Sequence, residues 1–378
     1  MGLVALALYV HWPWCVHKCP YCDFNSRGGL FRIDEGRYIA ALLADLSQVA
    51  HTVSRPVTSV FFGGGTPSLM TSEGFDALMR GIGERVDLAH DAEITLEANP
   101  GTVTEEKLAA FARSGVTRLS LGVQSFNEAS LSFLGRIHTA RQAREAVTWA
   151  KNTFAHVNID MMYALSGQTQ ANLRADAEEA VSFNTDHLSY YELTIEPGSV
   201  FFKRPPENLP DADTAGDMAE CIQTITRKAG FDHYEVSAYA KAGSRCRHNM
   251  TYWTYGDYLA IGAGAHAKIT TPDGAVFREV RAKSPVRYMT DVENGTCVQR
   301  RRRVRPEEIP FEFMLNVLRL REGVAKERWE EATGLPYALI APKVASLQRE
   351  GLMEKTDRLA ATALGRRFLN TLQERFLP

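Results

Sequence analysis

The chain has 378 residues, too many for one small module and too few for a large multidomain machine, so one large domain with one or two smaller ones is expected. Hydrophobic residues make up 45% and charged residues 23%, an ordinary globular composition that excludes a disordered chain. Lys and Arg number 43 against 45 Asp and Glu, a net charge of −2 that argues against a protein built to coat nucleic acid.

Residues 3–10 form the longest apolar run, far short of the ~18–20 needed to span a bilayer. No Lys or Arg precedes it, so a secretory leader lacks its positive start. A cytoplasmic location is expected, with peripheral membrane contact and homodimerisation left open. Strands are predicted at 6–10, 58–62, 94–98, 118–123, 157–162, 188–194 and 234–238. Helical patterns lie between them at 34–50, 72–85, 105–113, 140–151, 170–183 and 213–228, with Gly115 and Gly230 as stop signals. This alternation calls for a parallel sheet with right-handed crossovers. The expected fold is α/β: a partial β/α (TIM-like) barrel of about six βα units. A doubly wound open sheet is the alternative.

Residues 246–305 read as Gly-rich and irregular, and they end in a charge run. Beyond Pro306 come helical patterns at 311–320, 326–332 and 337–349, a hairpin at 352–359 and a helix at 364–376, a winged-helix-like α+β pattern. The expected division is 1–240, 241–305 and 306–378. The candidate recognition helix carries only Lys343 and Arg349 as cations and is interrupted by Pro342, so a structural or partner-docking role is favoured over DNA. Arg300 to Arg303, with Arg305, read as a solvated linker; the acid groups of a ligand, a partner protein or anionic lipid are the functional alternatives.

Of six cysteines, Cys15, Cys19 and Cys22 crowd into eight residues as C-x3-C-x2-C, directly after the first strand. That density suits a metal centre better than a disulfide scaffold. A structural zinc site wants four ligands, which only His11 or His17 could complete here. Three thiolates instead suit a four-iron four-sulfur cubane with one iron left open to an outside ligand. Zinc, buried thiols and a redox disulfide remain as alternatives. Cys221, Cys246 and Cys297 have no metal-like spacing and read as ordinary thiols.

Ligand-handling residues of a barrel belong where its strands end. The second strand runs into Gly63, Gly64, Gly65, Thr66 and Pro67, whose glycines permit close backbone approach, so that peptide groups can bind an ammonium and a carboxylate. The third ends at Glu97, the fourth at Gln124 with Arg136 beyond, and the fifth carries Asp160. A carboxylate inside an apolar strand is costly without a partner. Singly, each is more readily an ordinary structural group than a ligand contact; anomalies in five consecutive units point to a ligand.

The cysteine motif after the first strand resembles that of the radical S-adenosylmethionine (SAM) superfamily. There the amine and carboxylate of SAM chelate the open iron, and reduction of the cluster splits the sulfonium. More closely, the chain resembles the oxygen-independent coproporphyrinogen III oxidase group. That resemblance implies SAM contacts from Tyr9, Gly64, Gly65, Thr66, Glu97, Gln124, Arg136 and Asp160. Arg136 would neutralise a carboxylate, and Glu97 and Asp160 would take amine or ribose donors. Two departures separate the chain from the oxidase: Phe24 stands where the oxidase has a further Cys, and only eight residues precede Tyr9.

The stretch from Arg245 through His248, Asn249, Tyr252 and Trp253, with residues 256–266 after it, resembles the HemW-type haem chaperones over nearly the whole chain. This implies haem as cargo and a haem-acceptor protein as partner. His248 would be the axial ligand, Asn249 would orient its ring, and Tyr252 and Trp253 would pack on the porphyrin. A core role for His248 and Trp253 is the alternative. A radical-SAM oxidoreductase acting on a porphyrinogen is the second functional reading, and turnover is not decided by these residues. Within the family, Trp12 stands where an aliphatic residue is commoner, and Ser166 stands at a usual proline.

Overall fold

The computed structural model describes residues 6–29, 33–51 and 54–378; residues 3–5 of the apolar run lie outside them. Six parallel strands follow one another in space as in sequence. They are β1 (Leu6–Trp12), β2 (Val57–Gly64), β3 (Leu88–Ala98), β4 (Arg118–Gln124), β5 (His156–Tyr163) and β6 (His187–Glu192). The crossover helices are α1 (Glu35–Ala50), α2 (Ser72–Gly83), α3 (Glu105–Arg113), α4 (Ala140–Thr153) and α5 (Gln170–Ser182), and α6 (Ala212–Lys228) follows β6. Local chemistry starts these helices. Thr71, Thr104, Thr139, Thr169 and Asp211 each accept from the backbone N–H three residues on, a cap worth about 1 kcal/mol.

The strands carry two different faces. In β4, Leu119, Leu121 and Val123 are fully buried in the main hydrophobic core. The alternate residues Arg118, Ser120, Gly122 and Gln124 line a cavity. Period-two alternation therefore separates an apolar packing face from a polar inner face.

Beyond α6 the chain departs from expectation. The predicted strand at 234–238 is a pair of short antiparallel strands, β7 (Asp232–Glu235) and β8 (Ala238–Ala240). The stretch expected to be irregular holds α7 (Arg247–Trp253), β9 (Asp257–Ile261), β10 (His266–Thr270), β11 (Val276–Val280), α8 (Pro285–Glu293) and β12 (Arg300–Arg303). Strands this short show little periodicity. Their glycines mark the turns: Gly262 and Gly264 take φ of 104° and 77° between β9 and β10. β9 pairs in parallel with β1, so the twelve-stranded sheet runs β12-β11-β10-β9-β1-β2-β3-β4-β5-β6-β8-β7, a barrel left open between its edges.

The arginine run is no linker. It is the edge strand β12, where Arg301 pairs with Glu279 and covers the Phe277 ring at 4.4 Å, and Arg302 pairs with Glu308. A charged edge discourages pairing with another sheet.

The C-terminal segment builds its own core around Phe313, Trp329, Leu347 and Phe376, and Tyr234 and Tyr255 of the main body join it. Pro342 sits in the first turn of the helix Ala341–Arg349, where its missing N–H costs nothing. The predicted hairpin at 352–359 is present as an antiparallel bridge between Met353 and Ala361, with Glu354 N–H donating to Ala360 O (2.9 Å), and Arg358–Leu359 also pairs with Val324–Ala325. The last predicted helix is two, Ala363–Arg367 and Leu369–Glu374, parted at Phe368. Among the described residues no helix is long and apolar enough to cross a membrane.

Candidate functional site

A cavity of about 510 Å³ lies at the C-terminal ends of β1 to β5 and extends along the inner face of the sheet. The cysteine loop forms part of its wall and is pinned by backbone bonds. Gly65 N–H donates to Trp12 O (2.6 Å), Thr66 N–H to Trp14 O (2.8 Å), and Arg27 N–H to Pro13 O (2.7 Å). Gly64 N–H donates to Glu97 Oε2 at 3.3 Å. The amides of residues 64–66 thus anchor the loop and a carboxylate and are not left for a ligand.

Gly64 is dictated by sterics. Its φ is +110°, and a Cβ there would lie 2.3 Å from His11 Cε1. That imidazole cannot retreat, because Nε2 donates to Asn25 O (2.9 Å) and Nδ1 then accepts from Tyr9 OH (3.0 Å). The tautomer follows from the two bonds. His11 is therefore committed and does not complete a zinc site.

Cys15, Cys19 and Cys22 all line the cavity. Burial pushes up the Cys15 and Cys22 thiols, against hydrogen bonds from Thr66 and Ser26 at Cys15 and from the Phe24 backbone and Ser26 at Cys22. Among the described residues no three His, Cys, Asp or Glu side chains could together hold one metal ion. Three thiols spread along a roomy wall, too dispersed to converge on one ion, fit a cluster that each would hold at a separate iron better than a lone zinc.

The other strand ends carry unmet polar atoms. Arg136 donates from Nη2 to Gly122 O (2.7 Å), and its Nη1 lies 3.4 Å from Cys19 Sγ and from Tyr21 OH. Its Nε has no partner, and no carboxylate pairs with it among the described residues. A buried guanidinium without an anion is costly, so the pocket is suited to a ligand carboxylate. Gln124 is held at φ 72° beside a register shift in the β4–β5 pairing, and its Oε1 is unpartnered. The irregularity turns the side chain at the strand end.

Asp160 differs. It accepts from Ser120 Oγ and Asn158 Nδ2, both at 2.8 Å, so its needs are largely met. Glu97 has only the Gly64 amide, and burial together with the Asp160 charge pushes its carboxyl up to about 8. The folded state then holds a proton that the unfolded chain releases, so stability falls as pH rises from the ordinary carboxylate range to about 8. Glu97→Gln should flatten this slope in thermal unfolding of the ligand-free protein; parallel profiles for the two proteins would contradict it.

His248 and Tyr252, one helical turn apart on α7, also face the cavity, with Asn249. The imidazole is 1% exposed, and burial pushes its pKa down to about 3, so it is neutral. Tyr252 OH lies 2.7 Å from Nε2 and Ser59 Oγ 3.2 Å from Nδ1. Ser59, rather than the expected Asn249, orients the ring. Trp253 is misplaced by the sequence reading. One residue past Tyr252, about 100° further around the helix, it packs on the C-terminal core with Arg319 at 4.3 Å over its ring. It does not line the cavity.

Sequence reasoning missed the lower wall, where Thr95, Ser120, Asn158, His187, Ser189 and Cys246 line the same cavity with Arg118. The signal was present. A strand buried on both faces reads apolar throughout, whereas Arg118-Leu-Ser-Leu-Gly-Val-Gln124 and His187-Leu-Ser189 alternate.

The radical SAM superfamily is matched over residues 9–180, and the HemN C-terminal domain over residues 304–368. The Heme chaperone HemW of Haemophilus influenzae is 42% identical, covering 99% of this chain and 98% of its own. That of Escherichia coli is 42% identical, with 99% of each chain covered. The mitochondrial radical S-adenosyl methionine domain-containing protein 1 of Mus musculus is 37% identical over 86% of this chain and 75% of its own. The solved coproporphyrinogen III oxidase HemN from Escherichia coli covers 100% of this chain and 91% of that one with a TM-score of 0.83. At 21% identity this is a likeness of fold. Because full-length relatives stand at 42% identity, and barrel and C-terminal segment are both matched, the chain belongs to the HemW family of radical SAM proteins.

Proposed function

We propose that this protein is a cytoplasmic haem chaperone, holding haem in the strand-end cavity and passing it to an acceptor protein. It would carry a four-iron four-sulfur cluster on Cys15, Cys19 and Cys22, with SAM beside it. The observation that carries the reading is the cavity itself. It gathers the three thiols, strand-end groups with unmet hydrogen bonds, and a neutral imidazole whose Nε2 is met by a phenol. When bound, cluster and SAM supply one-electron cleavage of a sulfonium. The chain's own residues position the ligand: Arg136 takes its carboxylate, the turn at Gly64 and Gly65 offers carbonyls to its ammonium, and Tyr9, Thr66, Glu97, Gln124 and Asp160 complete the wall. Because Nδ1 faces Ser59, the Nε2 lone pair of His248 is the one that reaches haem iron, once the Tyr252 hydroxyl turns away.

Haem titration of the cluster-loaded protein tests this. His248→Gln should weaken binding about tenfold or more and shift the Soret band, since an axial bond is lost. Tyr252→Phe, which uncaps Nε2, should bind haem at least as tightly as wild type. Unchanged affinity in His248→Gln would remove it as the ligand. The oxidoreductase reading predicts decarboxylated porphyrinogen under anaerobic reducing conditions, and its accumulation would replace the chaperone reading.

A further inference from the structure

In a closed β/α barrel the interior is filled by layers of side chains. Here the cavity continues between the strands. Arg118 and Gln124, at the two ends of β4, both line it, and six residue steps along the strand separate them by about 20 Å. Unmet polar atoms occur at both ends. The upper ones, on Gln124 and Arg136, belong to the site already described. The lower ones are Thr95 Oγ1 and Arg118 Nη1, on residues only 1% and 2% exposed.

The two residues are neighbours on adjacent strands. Thr95 and Arg118 are register partners in the β3–β4 ladder, about 4.8 Å apart, and both face the cavity. The groups around them are already engaged. Arg118 Nε donates to Glu93 Oε2 (2.9 Å) and Nη2 to Ser244 O (3.0 Å). Glu93 Oε1 accepts from the His248 amide (3.2 Å) and the Cys246 thiol (3.5 Å). A buried polar group without a partner is costly, and an unmet guanidinium N–H, with an unmet hydroxyl on the neighbouring strand, is matched best by a carboxylate. Tyr9, Phe61 and His248 add an aromatic wall, with Phe61 5.0 Å from His248 and 6.4 Å from Tyr9 between ring centres. Ring faces leading down to a donor pair suit a flat conjugated molecule with a carboxylate arm.

We propose that Thr95 and Arg118 form a second subsite, on the floor of the chamber, that receives a propionate carboxylate of the haem cargo. This rests on the haem reading above and adds where an acid arm is held.

The test compares haem with its dimethyl ester, which keeps the macrocycle and iron but has no carboxylate. Wild type should prefer haem by about tenfold or more, the worth of a hydrogen bond to a charged group. Thr95→Val keeps the shape and removes the hydroxyl; Arg118→Lys keeps a cation opposite Glu93 and removes Nη1. Each should lower haem affinity several-fold, leave ester affinity unchanged and so shrink the preference, with Thr95→Val holding the wild-type unfolding midpoint. Equal wild-type affinity for acid and ester would mean that water satisfies the two atoms, and the subsite falls while the haem reading stands. Variants that weaken acid and ester alike also overturn it. Binding of neither compound overturns both proposals.

Discussion

Gly64→Ala should abolish the site. The new Cβ would lie 2.3 Å from His11 Cε1 and 2.5 Å from Nδ1, on a ring fixed from both sides by Asn25 and Tyr9. A backbone at φ +110° adds strain of about 1–3 kcal/mol for any residue with a side chain. Overpacking adds about 1–3 kcal/mol more, a large share of the roughly 5–15 kcal/mol that holds a domain folded. Relief requires the turn to move, and the turn carries the cysteine loop through Gly65 and Thr66. A lowered unfolding midpoint should therefore accompany loss of iron and sulfide after anaerobic reconstitution. Gly83→Ala is the control, since nothing lies within 4 Å of its added methyl. A Gly64→Ala protein with wild-type melting and full iron would show that the steric argument is wrong.

Asp45→Ala should cost about 3 kcal/mol, because it leaves the buried Arg281 cation with Glu279 (3.1 Å) as its remaining carboxylate and takes the acceptor from the Tyr288 hydroxyl and the Gly262 amide. Asp45 and Arg281 are both wholly buried, with Arg281 Nη2 3.2 Å from Asp45 Oδ1. Asp45 Oδ2 also accepts from Tyr288 OH (2.9 Å) and the Gly262 amide (3.3 Å). One carboxylate on α1 thereby ties the β9–β10 turn and α8 to the crossover helix that covers β1. Chemical denaturation should show the loss, and Asp45→Ala combined with Arg281→Met should be less destabilised than the sum of the singles, because each single change already removes the shared Asp45–Arg281 interaction. Strict additivity would mean that the pair is not coupled.

Both sites also show what kind of information a sequence carries. The cysteine spacing, the glycine turn after β2 and the acids at Glu97 and Asp160 were legible because they are local: a strand has a period of two, and its end faces the ligand side of the sheet. The helix starts at Ala140 and Gln170 fell where the periodicity predicted them. Trp253 was not, because helix periodicity separates faces without saying which face meets the cavity. Nor was the partner of His248, since Ser59 comes from a strand 189 residues away.

From the sequence by itself came the run of six strand–helix units, the three-thiol loop and the polar strand ends, each written in neighbouring residues whose spacing has one physical meaning. Tertiary structure alone decided that β9 joins β1, that the arginine run becomes a sheet edge, that the tryptophan turns away, and that Thr95 and Arg118 share a chamber floor. Those outcomes depend on which distant segments bury one another's surfaces. Burial is a property of the whole packed chain, and local pattern states only that a face must be covered, never by what.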